Sequence, residues 1–281
     1  MGAEAEYREA RSVSGRGAGP DRFEHALRGV AVDTQGHLYL AGDSEVKVFD
    51  AEGEMRHRWF TSRPVYAVAV DGEDVWVGEE GQVEVHEVGG TRLDEWRDGE
   101  RLGLVTAIGF TAAGVLLADA RARCIRHYDL EGGWLNDVGE RHRKGGFHIP
   151  NGVVDFAVDA DGVVHVANPG LHRVERYTAA GELLGRFGRF DGRDPEGFPG
   201  CCNPTNVALA SGGRVVVTEK GGPRVKVYDA EGRLEAVVAA GDAFDPACKN
   251  MDVAVDPDDR IVVADPVRLQ ARLFERVGVA A

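Results

Sequence analysis

Apolar and polar residues alternate along most of the chain in short runs, separated by turns that contain Asp or Gly. Alternation with a period of two is typical of β-strands that bury one face, and short Gly and Asp turns between such runs indicate antiparallel hairpins. No stretch has the period of an amphipathic helix. One phrase, an alternating run that ends near an acidic turn, recurs at residues 29–33, 67–71, 107–111, 155–159, 206–210 and 252–256.

Each copy of the phrase begins a unit of four short strands. In the fifth unit a second strand follows at 214–217 and a third at 224–228, and the Gly turn at 229–232 leads to a fourth. The copies follow one another at intervals of about 40 to 50 residues, a period typical of propeller repeats. The pattern therefore predicts an all-β fold, a six-bladed β-propeller of four-stranded antiparallel blades.

The two ends of the chain are predicted to meet in the last blade. The sixth unit supplies only three strands, at 251–256, 260–264 and 269–275, and the alternating segment 7–13 is available as the fourth. Such closure by the N-terminal strand removes the open edge that a circular array would otherwise leave. The predicted single domain (1–281) divides into blade 1 (26–62), blade 2 (63–99), blade 3 (102–140), blade 4 (150–190), blade 5 (203–241) and blade 6 (249–276 with strand 7–13).

Several segments resemble NHL repeats. They are VVHVAN at 163–168, which is followed by LHRV at 171–174, IVVAD at 261–265 and the opening GRGAGPDRF at 15–23. The resemblance extends over nearly the whole chain and implies a six-bladed NHL propeller. Similar propellers serve as protein-interaction modules, as the peptide-amidating lyase and, in a related group, as metal-dependent lactonases. The resemblance therefore implies a fold and leaves the function open.

Composition narrows the choice of partners. The formal net charge is −14, and an acidic chain is repelled by phosphate backbones and anionic bilayers, so we expect no nucleic acid partner. The apolar runs are far too short to span a bilayer, which argues against membrane insertion. Residues 1–11 are polar and show no export signal, so the sequence favours a cytoplasmic protein.

Polar departures from the repeat are concentrated in blades 4 to 6. In a propeller the loop that enters each first strand and the loop between the second and third strands lie on one face, at the mouth of the central channel. Next to the first strands, blades 1 to 3 carry the small residues Gly29, Ala67 and Ala107. In blades 4 to 6 we predict that a small polar substrate binds to Asn151, Asp155, Asn203, Asn206, Asn250 and Asp252. The alternative for the two aspartates is that they accept hydrogen bonds from loop amides.

Cysteines and histidines supply a second group of candidates. Cys202 and Cys248 occupy equivalent positions before the first strands of neighbouring blades, and His25 occupies that position in the next blade. With Cys201 and His148 as further ligands, these groups suit a transition metal, Zn, Cu or Fe, whereas an iron–sulfur cluster is less favoured. The alternatives are buried packing, a Cys202–Cys248 disulfide, or oxidation of the adjacent Cys201 and Cys202.

The loop between the second and third strands of blade 5 adds candidate catalytic groups. Glu219 is a candidate general base, and Lys220 is placed to attract an anion. Together with Asp252 they form the predicted catalytic set. The long segment 190–200 leads into Cys201 and is expected to cover this part of the face.

These features support two hypotheses. In the first, the protein is a metal-dependent lyase, hydrolase or oxidoreductase that acts on a small polar substrate. In the second, it is a non-catalytic scaffold that binds a protein partner through an exposed apolar patch, and its cysteines are structural. The concentration of Cys, Asn and Asp in adjacent blades favours the first.

The residues predicted to be structural are Asp43, Asp119, Asn168, Asp265, His172, the core thiol Cys124 and the solvated basic run 141–144.

Overall fold

The computed structural model describes residues 6–139 and 146–277, and the basic run 141–144 lies outside them. The described residues form six four-stranded sheets, in which neighbouring strands are antiparallel. Outside the sheets, the regular structure of these residues consists of short 3-10 segments at 169–171, 211–213 and 241–243. The predicted all-β fold is therefore confirmed.

The strands are numbered in chain order. The first part of the chain contains β1 (Tyr7–Ser14), β2 (Gly29–Val32), β3 (Leu38–Gly42), β4 (Glu45–Phe49), β5 (Met55–Phe60), β6 (Ala67–Asp71), β7 (Asp74–Gly78), β8 (Gln82–Glu87), β9 (Arg92–Arg97), β10 (Val105–Thr111), β11 (Gly114–Asp119), β12 (Cys124–Tyr128) and β13 (Trp134–Val138). The second part contains β14 (Asp155–Val158), β15 (Val164–Asn168), β16 (Arg173–Tyr177), β17 (Leu183–Phe187), β18 (Asn206–Ala210), β19 (Arg214–Glu219), β20 (Arg224–Tyr228), β21 (Leu234–Ala240), β22 (Val253–Val255), β23 (Ile261–Asp265) and β24 (Gln270–Arg276). Blades 1 to 5 are the sheets β2–β5, β6–β9, β10–β13, β14–β17 and β18–β21.

Blade 6 joins the two ends of the described chain. Strand β1 pairs with β24, from Tyr7 opposite Arg276 to Ser14 opposite Gln270, and completes the sheet β1–β24–β23–β22. An ion pair strengthens the junction, because Arg272 Nη2 lies 2.5 Å from Glu9 Oε2. The predicted closure by the N-terminal strand is confirmed.

The first strands of the six blades surround a central channel of about 370 Å³. At their midpoints they carry the small residues Ala31, Ala69, Gly109, Ala157, Ala208 and Ala254. These strands approach one another closely: an added Cβ at Gly109 would lie 2.7 Å from the Phe156 ring. The apolar core lies between neighbouring blades, where, for example, Val216 of blade 5 packs in one cluster with Val263 and Phe274 of blade 6. This packing holds the starts of six strands, and the loops before them, around one opening.

Candidate functional site

A pocket of about 260 Å³ lies where the first strands begin. All six blades contribute to its wall through the start of the first strand or the loop before it, with Arg28, Tyr66, Thr106, Val153, Asn206 and Lys249. We call it the channel-mouth pocket. Concave sites with a few converging polar groups are where small ligands usually bind, and this pocket has that character.

Asn206 is the polar group most deeply buried in the wall of this pocket. Its residue surface is 3% exposed, and its Nδ2 donates to Asp252 Oδ1 at 3.5 Å. Its Oδ1 is buried and accepts no hydrogen bond from the part of the chain that the structure describes. A buried acceptor without a donor costs about 1–3 kcal/mol, so this oxygen is suited to an N–H or O–H group of a ligand.

A pair of asparagines reaches the same pocket through one of its members. Asn151 Nδ2 donates to Asn250 Oδ1 at 2.9 Å, and Asn250 lines the pocket. The Oδ1 atom of Asn151 is likewise buried without a donor among the described residues. The structure therefore brings together three predicted substrate-binding residues, Asn151, Asn206 and Asn250, from three different blades.

Asp155 and Asp252 lie at the rim of the channel and join neighbouring blades. Asp155 Oδ2 accepts a hydrogen bond from the Val207 amide at 2.7 Å, and Asp252 Oδ2 accepts one from the Val30 amide at 2.8 Å. These bonds correspond to the structural alternative from the sequence, in which the aspartates bind backbone amides. Blade 1 has Gly29 at this position, where an added Cβ would lie 3.1 Å from the Val68 amide nitrogen.

The rim carboxyls hold protons more tightly than ordinary aspartates. Burial raises the pKa of Asp252 to about 6. Burial, followed by the negative charge of Asp252, raises the pKa of Asp155 well above its usual range. Because the two groups lie close enough to interact, near neutral pH the pair carries less than two negative charges. One of them can therefore act as a proton donor beside Asn206.

Arg28, Tyr66 and Thr106 were missed by the sequence analysis, which expected only small residues at the mouth of blades 1 to 3. That expectation holds for Gly29, Ala67 and Ala107 but not for the residue immediately before each of them. The Arg28 guanidinium lies over the Tyr66 ring, 4.8 Å from its centroid. A comparison of the residue one position earlier in each repeat would have found these three side chains.

The cysteines do not converge on one site. Cys248 is fully buried in the apolar cluster between blades 5 and 6, and its Sγ donates to Asp265 Oδ1 at 3.4 Å. Burial raises the pKa of Cys248 to about 12, which disfavours the thiolate that a metal requires. Cys202 is buried beside Cys201. None of the four cysteines, all of which the structure describes, forms a disulfide, so the alternative of a Cys202–Cys248 bond is not realised.

The two candidate histidine ligands lie elsewhere on the surface. His25 is exposed, lies 3.8 Å from the Glu24 carboxylate and lines a different pocket. His148 is exposed in blade 4, where its backbone oxygen accepts from the Gly170 amide at 2.8 Å. Residues 6–139 and 146–277 contain no group of three or more His, Cys, Asp and Glu side chains placed to hold a metal ion. The donor set does not fit the predicted metal, and that site stays a prediction without assembled ligands.

The predicted base Glu219 lies inside blade 5. Its side chain is fully buried, with Oε1 at 2.6 Å from Lys226 Nζ and Oε2 at 2.5 Å from Arg224 Nη2. A carboxylate held by two cations and shielded from solvent is suited to a structural role. The structure therefore places this candidate away from the channel-mouth pocket, whose wall does not include it.

Hydrogen bonds join the side chain of Asn203 to the backbone of Lys220. Asn203 is 1% exposed; its Oδ1 accepts from the Lys220 amide at 2.8 Å and its Nδ2 donates to the Lys220 carbonyl at 2.9 Å. These bonds occupy the side-chain amide of Asn203, which was predicted to bind substrate, and they involve only the backbone of Lys220, not its ammonium group. The segment 190–200, all of which the structure describes, contributes no residue to the wall of the channel-mouth pocket.

A scan of the chain against protein-family models finds no match, and a search of curated proteins also finds none. The WD40 β-propeller domain of Doa1 is similar in fold, with a TM-score of 0.62 and 15% identity over 89% of this chain and 78% of that one. A chain of the mitotic checkpoint complex has a TM-score of 0.65 and 14% identity over 96% and 91%. A catalytically inactive virginiamycin B lyase from Staphylococcus aureus, solved with quinupristin, has a TM-score of 0.60 and 13% identity over 93% and 82%.

At these identities the similarity shows the β-propeller fold alone, and the NHL resemblance stays a prediction. The neighbours include a chain of a multi-protein complex and a lyase, so the fold by itself does not choose between an interaction role and catalysis. No helix among the described residues is long and apolar enough to cross a membrane.

Proposed function

We propose that this NHL-type propeller binds a small polar molecule in the channel-mouth pocket, and that the molecule carries both N–H groups and a carboxylate. The observation behind this proposal is the buried Oδ1 of Asn206, which accepts no hydrogen bond among the described residues. Asn151 Oδ1 is a second acceptor of the same kind. An unsatisfied amide oxygen in the wall of the pocket, with a second one behind it on a residue bonded to Asn250, favours a ligand with hydrogen-bond donors over an apolar one.

The charges in the wall support the carboxylate. Arg28 and Lys249 both line the pocket, although the chain as a whole has a formal net charge of −14. A guanidinium in a partly enclosed site is well suited to a carboxylate because it donates two parallel hydrogen bonds. A volume of about 260 Å³ is below the range of drug-sized sites and fits a molecule of amino-acid or dipeptide size.

The rim carboxyls would lie next to such a ligand. Asp252 contacts Asn206 through the 3.5 Å hydrogen bond, so a group bound to Asn206 Oδ1 would be close to a carboxyl that holds its proton at slightly acidic pH. This arrangement supports a proton-donating role for Asp252 in the predicted catalytic set. It needs no metal ion, and no step of this proposal involves one.

The proposal is tested with N-acetyl amino acids and dipeptides, each paired with its carboxamide. Thermal shift of the full chain selects binders, and calorimetry measures their affinity. Asn206→Leu is expected to weaken binding about tenfold or more, because the ligand loses its acceptor. Arg28→Gln is expected to weaken the carboxylate form and to leave the carboxamide unchanged.

The matched control is Asn136→Leu. Asn136 donates to the Ala179 carbonyl at 2.9 Å in the outer part of blade 3, so its loss should leave affinity unchanged. The proposal fails if no probe binds the wild type, or if Asn206→Leu binds as tightly as the wild type.

A protein-interaction scaffold is the second candidate. Leu130, Trp134 and Leu135 are 63%, 45% and 43% exposed at the outer hairpin of blade 3, so large apolar side chains are accessible there, as the scaffold hypothesis requires. Failure of every small-molecule probe would favour this candidate, and Trp134→Ser would then be expected to reduce partner binding.

A further inference from the structure

Cys201 and Cys202 form a pair of unequal thiols in the loop before β18. Their Sγ atoms are 2.7 Å apart, and neither is in a disulfide. Cys201 is exposed, whereas Cys202 is buried with 3% of its surface accessible. One sulfur can therefore be reached by a reagent from solvent, and the other lies directly behind it.

The loop around this pair is held in place on both sides. After the pair, the Asn203 side chain donates to the Pro199 carbonyl at 2.7 Å and is bonded to the backbone of Lys220. Before the pair, Lys226 Nζ donates to the Pro195 and Gly197 carbonyls at 3.0 and 2.8 Å. These contacts keep the thiols beside Lys220, whose positive charge reaches both of them.

The two thiols differ in acidity in the way expected of an attacking thiol, Cys201, and a resolving thiol, Cys202. The hydrogen bond with Cys202, followed by the charge of Lys220, lowers the pKa of Cys201. Burial, followed by the hydrogen bond with Cys201, raises the pKa of Cys202. An exposed thiolate next to a cation is the form of cysteine that reacts with disulfides.

We propose that Cys201 and Cys202 are a redox-active dithiol that a small disulfide, such as oxidised glutathione, converts reversibly to a disulfide between these adjacent residues. The Cys201 thiolate attacks one sulfur of the reagent, forms a mixed disulfide and releases one glutathione thiolate. Cys202 then loses its proton to solvent and attacks Cys201 Sγ, which releases the second glutathione thiolate. Two electrons pass from the protein to the reagent, and one disulfide is exchanged for another.

The product would be easily reduced. Consecutive Cα atoms are about 3.8 Å apart, which is shorter than the usual Cα separation across a disulfide of about 4.4 to 6.8 Å. Strained and exposed disulfides have higher reduction potentials than buried structural ones. The inference is independent of ligand binding in the channel-mouth pocket, since it rests on a different part of the chain.

The test uses the reduced full-length chain and oxidised glutathione, with intact mass and thiol content followed over time. The wild type is expected to lose two thiols without retaining a glutathionyl group. Cys202→Ser is expected to keep one glutathionyl group on Cys201, because no resolving thiol remains. Cys201→Ser is expected not to react, and Lys220→Gln to slow the reaction roughly twofold to fivefold.

Cys248→Ser is the matched control and should behave as the wild type, because Cys248 is fully buried and bonded to Asp265. A stable glutathionyl adduct on the wild type, or loss of two thiols from Cys201→Ser, would overturn the proposal. If Cys202→Ser does not fold, peptide mapping of the oxidised wild type decides the question, since a disulfide between any other cysteines contradicts it.

Discussion

Blades 2 and 5 carry a glutamate at the same position of the repeat. Its neighbours are two cations in blade 5, and an anion and a neutral amide in blade 2. Glu219 is the last residue of the second strand of blade 5 and is paired with Lys226 and Arg224. Glu79 follows the second strand of blade 2, and its equivalent neighbours in the strand register are Glu84 and Gln82. The Gln82 Nε2 donates to Glu79 Oε2 at 2.5 Å, so an amide replaces the arginine.

This difference in neighbours decides whether the fold stabilises the charged or the protonated form of the glutamate. Burial, followed by the negative charge of Glu84, raises the pKa of Glu79 to about 7. Burial also acts on Glu84, but hydrogen bonds from His86 and Ser62 outweigh it and lower the pKa of Glu84 to about 2. Glu84 therefore stays charged and favours a protonated Glu79. A buried carboxyl is tolerated in blade 5 by pairing and in blade 2 by protonation.

Both networks anchor the loop that enters their blade. In blade 2 the Arg63 amide donates to Glu79 Oε1 at 3.2 Å, and in blade 5 Lys226 donates to the Gly197 carbonyl at 2.8 Å. In blade 2 the carboxyl that accepts the bond from the loop therefore changes charge near pH 7, whereas in blade 5 the loop is held by a lysine that is itself paired with Glu219. The comparison shows that a polar departure from the repeat can be a structural device, which is the role that the geometry gives to Glu219.

The largest effect is expected for Lys226→Met. Removal of one partner leaves the buried Glu219 with a single cation and also frees the loop at Pro195 and Gly197. The free energy of unfolding in urea should fall by about 3–5 kcal/mol. The double variant Glu219→Gln/Lys226→Met removes the unpaired charge and should recover part of that loss. A single variant as stable as the wild type would contradict the role of the ion pair.

Glu79→Gln should remove a pH dependence. Because the folded pKa is raised from 4.5 to about 7, the stability from the protonated carboxyl is present below pH 4.5 and is lost as pH rises through 7. This group alone should lower the free energy of unfolding of the wild type by about 3 kcal/mol between those limits. Asp155 and Asp252 titrate in an overlapping range, so the difference between wild type and variant is measured. Parallel curves for the two proteins would rule out a raised pKa of Glu79.

Glu84→Gln should have the smallest effect. It removes the like charge but leaves Glu79 buried, and burial is the larger cause of the raised pKa. The titration midpoint of Glu79, followed by carboxyl NMR, should fall by less than about one pH unit. Glu95→Gln is the control, because Glu95 lies opposite Glu84 on the outer strand and pairs with Arg92 and Arg97. An unchanged midpoint in Glu84→Gln would assign the whole shift to burial.

The candidate site could be predicted only in part. Asp155, Asn206 and Asp252 lie at the channel because their position relative to the first strand follows from the repeat. Their partners do not follow from it: Asp155 binds the Val207 amide of the next blade, and Asp252 binds Val30 at the other end of the chain. The cysteines show the same limit. Cys202 and Cys248 occupy equivalent positions before their first strands, but the loops that contain them, 188–205 and 241–252, differ in length. An equivalent position along the chain therefore does not give the two side chains the same direction.

By itself, the sequence determined the six blades, their four-stranded sheets and the closure by the N-terminal strand. Alternation with a period of two is a local pattern, and six repetitions of it permit few arrangements other than a ring. Only the tertiary structure decided which polar residues bind one another and which remain available. Pairing depends on contacts between blades that are distant along the chain, as in the hydrogen bonds of Asp155 and Asp252. It also depends on the neighbours of each buried group, which pair the glutamate with two cations in blade 5 and contribute to a pKa of about 7 in blade 2.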